Sequence, residues 1–85
     1  MIKTLADFKR LPVGTKIVTL RGIPKYQGIV REIIHKQSNA IKFEGDSWLY
    51  YPTSKEFRVE GDRLIVESRT EAGDIWNVLE YKIVL

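Results

Sequence analysis

The chain has 85 residues, a net charge of +3 and no cysteine. A chain of this length buries only about 60–65% of its extended surface, so we expect a single domain over residues 1–85. Disulfide bridges and thiolate metal sites are excluded, and no apolar run approaches the ~20 residues that a membrane helix needs, so we expect a cytoplasmic protein that does not span a membrane.

Charge is distributed unevenly along the chain. Residues 1–43 carry nine Lys or Arg against two acidic residues, a net charge of +7, whereas residues 44–85 carry five against nine, a net charge of −4. If folding keeps the halves apart, the molecule has a basic face that attracts phosphate or an acidic partner. If the strands interleave, the charges mix into an ordinary solvated surface.

A short helix over residues 4–10 is predicted near the start of the chain. Thr4 and Asp7 have the spacing of a capping box, in which each side chain accepts a hydrogen bond from the backbone N–H of the other residue. Leu5 and Phe8 then lie on one face of the helix. A helix of fewer than two turns is not stable alone, so we expect these two side chains to dock on a sheet.

The remaining chain, residues 13–85, has the pattern of short strands separated by turns. Runs of β-branched and alternating apolar residues are separated by single glycines beside Asp or Pro. We predict seven strands, over residues 13–20, 28–36, 39–44, 47–51, 56–60, 63–69 and 75–85, with one helical or 3₁₀ turn at 52–55. Alternation assigns the inward positions to Ile41, Phe43, Phe57, Val59, Leu64, Val66, Leu79, Tyr81, Ile83 and Leu85.

The order of features over residues 11–59 is that of a known small fold. A Val-Gly-Thr-Lys-Ile strand precedes a Gly-interrupted loop, a Gly-Ile-Val strand, an alternating Ala-Ile-Lys-Phe strand, an aromatic strand and one helical turn. This order resembles small SH3-like barrels of the KOW and Tudor kind. The resemblance implies a mainly β fold, a small antiparallel barrel, with the short N-terminal helix and an extra C-terminal hairpin as additions.

Three segments resemble another group of proteins. They are the opening Thr-Leu-Ala-Asp-Phe-Lys-Arg, the Gln-Ser-Asn-Ala of residues 37–40 and the Ser-Trp-Leu-Tyr-Tyr-Pro of residues 47–52. Together they are similar to small uncharacterised proteins encoded by phages and prophages. That family has no settled activity, so the resemblance implies a biological setting and assigns no functional residue.

Residues suited to catalysis are not grouped in the sequence. His35 is the single histidine, no thiol nucleophile exists, and the dispersed glycines form no phosphate-cradling loop. The acidic residues Glu44, Asp46, Asp62 and Asp74 lie beside turn glycines, where short acidic side chains stabilise the local backbone. We therefore predict a non-enzymatic module without a metal or a cofactor.

The aromatic run from Trp48 to Tyr51 leaves two alternatives. Because side chains alternate along a strand, Trp48 and Tyr50 share one face, whereas Leu49 and Tyr51 share the other. Either Leu49 and Tyr51 fill the core and the first pair stands outside, or Trp48 is buried and Tyr51 lies at a rim. A small domain needs its largest apolar groups inside, which favours a buried Trp48.

Two functions of different classes follow from these features. The first, which we prefer on the charge of residues 1–43, is binding of single-stranded nucleic acid, with cations on phosphates and rings stacked on bases. The second is a protein-interaction or accessory module that binds a host or phage protein. A third alternative is a homodimer formed through an exposed strand. The candidate binding residues are Arg21, Lys25, Tyr26, Arg31, Lys36, Lys42, Trp48 and Tyr50.

Overall fold

The fold is an antiparallel sheet preceded by a short helix. A computed structural model of the chain describes residues 2–45 and 47–84. The elements are α1 (Leu5–Lys9), β1 (Lys16–Arg21), a 3₁₀ turn (Pro24–Tyr26), β2 (Val30–Gln37), β3 (Ala40–Phe43), β4 (Ser47–Tyr50), β5 (Phe57–Glu60), β6 (Arg63–Arg69) and β7 (Ile75–Val84). The mainly β class and the short N-terminal helix are confirmed. A single turn follows β4, in which the Glu56 N–H donates to the Thr53 carbonyl oxygen at 3.0 Å; this bond between residues three apart agrees, one residue further along the chain, with the one helical or 3₁₀ turn predicted at residues 52–55.

The strands form one seven-stranded sheet in the order β4-β3-β2-β1-β7-β6-β5. All neighbouring pairs are antiparallel. β4 and β5 are the two edges, and within residues 2–45 and 47–84 no ladder joins them, so the sheet is not closed into a barrel. Ile17 pairs with Arg31 on one side and with Ile83 on the other, and the ten-residue β7 in turn pairs with both β1 and β6.

One face of the sheet carries the hydrophobic core. Every predicted inward position in the described residues is buried or packs against the core, and Leu85 lies outside those residues. Burial of these side chains is the main stabilising contribution in a domain of this size. The buried core residues are Phe8, Ile17, Ile33, Ile41, Phe43, Phe57, Leu64, Val66, Leu79 and Tyr81.

Helix α1 packs across the gap between the two sheet edges. Its capping box forms as predicted, with the Asp7 N–H donating to Thr4 Oγ1 and the Thr4 N–H donating to Asp7 Oδ2, both at 3.2 Å. The Phe8 ring stacks on Phe57 at a centroid distance of 5.4 Å and meets the edge of Tyr51 at 5.9 Å. Phe8 therefore joins the start of β5 to the residue that follows β4.

The turn after β1 depends on a glycine that lies very close to β7. Gly22 has a φ of +101°, and a Cβ at this position would lie 2.4 Å from the Val78 carbonyl oxygen and 2.5 Å from Leu79 Cδ2. The left-handed backbone and the close packing both require glycine here.

Replacement of Gly22 by alanine is expected to lower the free energy of unfolding by about 2–4 kcal/mol, since overpacking adds to the cost of the positive φ. Gly28→Ala is the matched control, because Gly28 has a φ of +79° but no heavy atom within 4 Å of the position that an alanine methyl would occupy. The control is expected to cost about 1 kcal/mol. Urea unfolding measures both variants, and equal losses would contradict the packing at Gly22.

Candidate functional site

The strand order places the charged strands from the two halves of the sequence in different parts of the sheet, to the left and right of the β1–β7 pair. β1, β2 and β3, all within the basic residues 1–43, lie together, and β5, β6 and β7 lie together on the other side. β4 comes from the second half of the sequence, but its residues Ser47–Tyr50 carry no charge. The interleaved arrangement is therefore not the one that this chain adopts.

The outer surface of β5, β6 and β7, which faces away from the core, is covered by ion pairs. Ile65 points to this surface, yet it is buried between its cross-strand partners Arg58 and Glu80. The charged side chains on this surface pair with one another and cover Ile65. The ion pairs join Arg58 to Glu60 and Glu67, Arg69 to Glu67, Arg63 to Glu80 and Lys82 to Asp62.

The outer surface of β2, β3 and β4 instead presents two aromatic rings. Trp48 is 42% exposed and Tyr50 is 66% exposed, whereas Leu49 and Tyr51 pack against the core. The alternative with a buried Trp48 is wrong. Tyr51 packs against Phe8, and a slip of one residue that buried Trp48 would remove that contact, so the core sets the orientation of the strand.

Strand register places polar and small residues beside these rings. Trp48 pairs with Lys42 and Tyr50 with Ala40, and the Lys42 Nζ lies 5.6 Å from the centroid of the Trp48 ring. Lys42 also pairs with the exposed His35. We call the resulting surface the aromatic face, formed by His35, Gln37, Lys42, Trp48 and Tyr50, with the buried Ala40 between Gln37 and Tyr50.

The loop between β1 and β2 meets one end of the aromatic face. The Tyr26 hydroxyl donates to the carbonyl oxygen of Gly45, in the turn that precedes Trp48. Lys25 is exposed, its Nζ lies 5.3 Å from the Tyr26 ring centroid, and it forms no ion pair with another described residue. The structure therefore places three of the predicted residues, Lys42, Trp48 and Tyr50, on the aromatic face, and it places Lys25 and Tyr26 at one end of that face.

Arg31 does not reach the surface as predicted for a phosphate contact. Its side chain is 3% exposed, and its guanidinium carbon lies 3.8 Å from the Tyr26 ring centroid and 4.8 Å from that of Phe43. Nη2 donates to Thr19 Oγ1 at 3.2 Å, whereas Nε and Nη1 have no hydrogen-bond partner in the described residues. Removal from water lowers the pKa of Arg31.

Arg21 and Lys36 also lie away from the aromatic face. Arg21 pairs with Glu80 at 3.5 Å, and the Lys36 Nζ donates to the carbonyl oxygen of Lys9 at 2.8 Å, next to the end of α1. The register of β2 shifts between Ile33 and His35, which leaves Lys36 paired with the buried Ile41. Basic charge alone did not distinguish these positions from Lys42.

Two cavities lie outside the aromatic face. One of about 360 Å³ lies beside Arg21 and Trp76, and Trp76 is 68% exposed. The other, of about 1000 Å³, opens at an end of the sheet, and the sequence contained no signal for it because its lining comes from distant segments. Its apolar lining residues include Ile2, Leu11, Val59, Leu64 and Ile83.

Comparison of the chain with protein-family models, curated proteins and solved structures gave no match. In the part of the chain that the structure describes, no three His, Asp or Glu side chains gather in a way that would hold a metal ion. The described helix is too short and too polar to cross a membrane. The geometry of the surface is thus the basis on which a function is inferred.

Proposed function

We propose that this chain is a small non-enzymatic binding module that holds single-stranded nucleic acid on the aromatic face. One observation carries this proposal: Trp48 and Tyr50 are exposed side by side on the same face of an edge strand. Residues two apart on a strand lie about 7 Å from each other. Two rings at that spacing can stack on neighbouring unpaired bases, each for about 1–3 kcal/mol.

The charge around the rings supports an anionic ligand. Lys42 lies in the middle of the aromatic face and Lys25 at the end where the Tyr26 loop meets the turn before Trp48. Both belong to residues 1–43, whose strands β1, β2 and β3 lie together in the sheet. Cations beside exposed rings are the combination with which single-strand binders follow a phosphate backbone and hold its bases.

Fluorescence anisotropy of a labelled single-stranded oligonucleotide of about ten residues tests this function. With two or three cations on phosphates, the affinity is expected to fall about tenfold between roughly 50 and 200 mM salt. A duplex of the same sequence should bind more weakly, because its stacked bases do not reach Trp48 and Tyr50. Affinity that does not change with salt, or no binding at tens of micromolar protein, would contradict nucleic-acid binding.

A protein partner, from a host or a phage in the setting that the sequence resemblance implies, is the second candidate. The observation that favours it is that β4 is a sheet edge whose Trp48 and Tyr50 are exposed. An extended peptide or a second copy of the chain can add a strand at such an edge. Sedimentation at two protein concentrations detects the second copy, and salt-independent peptide binding at β4 would favour a partner protein.

We also propose that the fold is a variant of the SH3-like type, in which the added hairpin is β5 and β6 and not the C-terminal hairpin expected from the sequence, because β7 lies inside the sheet beside β1. The meander from β1 to β4 and the return of β7 to the side of β1 support this relationship. The pair β5 and β6 then lies outside the common part of the fold, at the far edge of the sheet.

A further inference from the structure

Arg31 is a buried cation without an anionic partner in the described residues. Among the residues that the structure describes, its guanidinium makes one hydrogen bond, to the neutral hydroxyl of Thr19, and its Nε and Nη1 donors have no partner. The rings of Tyr26 and Phe43 offset part of the lost hydration through cation–π contacts. A buried charge ordinarily requires an ion partner and a full set of hydrogen bonds, so this arrangement is incomplete as it stands.

The Tyr26 ring covers Arg31 from the loop between β1 and β2. Phe43 is fixed in the core, whereas Tyr26 is only half-buried and belongs to a short turn in the loop between β1 and β2. Its hydroxyl donates to the Gly45 carbonyl oxygen at 3.1 Å. Because the Tyr26 ring covers the guanidinium at 3.8 Å, rotation of this side chain would break the bond to Gly45 and uncover Arg31.

We propose that Arg31 is a gated anion site, in which a phosphate group displaces the Tyr26 ring and accepts hydrogen bonds from the unpaired donors of the guanidinium. Arginine suits this role because its planar donors match the oxygens of phosphate. Where the phosphate is that of a nucleic-acid backbone, this site rests on the proposed function and adds a contact at the turn before Trp48, where Tyr26 bonds to Gly45. Arg31 itself pairs with the core residue Ile17, so it lies on the sheet face opposite Trp48 and Tyr50. Free inorganic phosphate has the same chemistry and is tested separately.

Thermal unfolding in inorganic phosphate and in chloride of equal ionic strength tests the site directly. Phosphate is expected to raise the midpoint of the wild-type protein by several degrees, because a ligand of the folded state stabilises it. Arg31→Met should abolish this rise without lowering the midpoint in chloride, since an unpaired buried charge is replaced by an apolar side chain. Arg10→Met, at an exposed arginine, is the control and should keep the rise. Equal rises in Arg31→Met and wild type, or none in wild type, would overturn the site.

Tyr26→Ala provides a second test that does not depend on the folding of the Arg31 variant. Removal of the ring leaves the guanidinium open, so phosphate should stabilise this variant at a several-fold lower concentration than it stabilises the wild type. An unchanged or higher phosphate requirement would overturn the gate.

Oligonucleotide binding separates the two sources of phosphate. If a backbone phosphate occupies the site, Arg31→Met lowers the affinity for the single strand severalfold and reduces the salt slope by about 0.7. If only the phosphate-dependent rise in midpoint is lost, the site takes free phosphate. If Arg31→Met keeps both the oligonucleotide affinity and the phosphate-dependent rise, the anion site is wrong while binding on the aromatic face stands. If the wild type shows the rise but does not bind the oligonucleotide, the anion site stands and the proposed nucleic-acid binding is wrong.

Discussion

Replacement of both Trp48 and Tyr50 by alanine is expected to lower the affinity for a single-stranded oligonucleotide by about 10²-fold or more. Each ring contributes about 1–3 kcal/mol of base stacking, and a factor of ten in affinity corresponds to about 1.4 kcal/mol. The free energy of unfolding should change by less than about 1 kcal/mol, because both side chains are largely outside the core. Anisotropy titrations and urea unfolding on the same preparations separate the two effects.

The control for this double variant is Trp76→Ala. Trp76 is also an exposed tryptophan, but it lies on β7 beside Arg21, outside the aromatic face. Its replacement should leave oligonucleotide affinity unchanged. Tyr50→Phe should likewise retain binding, since stacking requires the ring and not the hydroxyl. Equal losses for Trp76→Ala and for the double variant would show that aromatic content, rather than this face, determines binding.

The contrast between the two outer surfaces explains why one face is available to a ligand. On β5, β6 and β7, Arg58, Glu67 and Glu80 interact with neighbouring charges above the buried Ile65. A ligand at that surface would have to break these pairs. On β4 the rings are exposed, so stacking removes apolar surface from water without breaking existing contacts of the rings with the core.

Local patterns in the sequence were sufficient to predict most elements of the fold. The capping box of Thr4 and Asp7 set the start of α1, and strict alternation identified Ile41 and Phe43 as inward positions. These signals succeed because side-chain direction repeats every two residues in a strand and every three to four in a helix. They depend only on neighbours in the chain.

Features that depend on distant contacts were not predictable in the same way. The burial of Arg31 requires Tyr26 and Phe43 to meet around it, and no local pattern encodes that meeting. The orientation of Trp48 depends on the contact of Tyr51 with Phe8, in the gap between the two sheet edges. The pairing of β7 with β1 likewise joins residues that lie far apart in the sequence.

Phe8→Ala is expected to lower the free energy of unfolding by about 3–5 kcal/mol, a large part of the stability of a small domain. Phe8 is fully buried, and its ring holds Tyr51 and Phe57 together where no strand pairing joins β4 to β5 in the described residues. Its loss leaves a cavity between the two sheet edges and removes the main contact that docks α1. Urea unfolding followed by tryptophan fluorescence measures the change.

Two milder variants show whether the ring or the helix itself is responsible. Phe8→Leu keeps an apolar side chain at the site and should cost less than half as much, whereas Thr4→Ala removes only the helix cap and should cost about 1 kcal/mol. If Thr4→Ala were as damaging as Phe8→Ala, formation of α1 would limit stability, and the bridge between Tyr51 and Phe57 would be secondary. With the bridge dominant, Phe8→Ala should also weaken oligonucleotide binding under conditions in which it remains folded, because β4 loses the contact that orients Trp48 and Tyr50 outward.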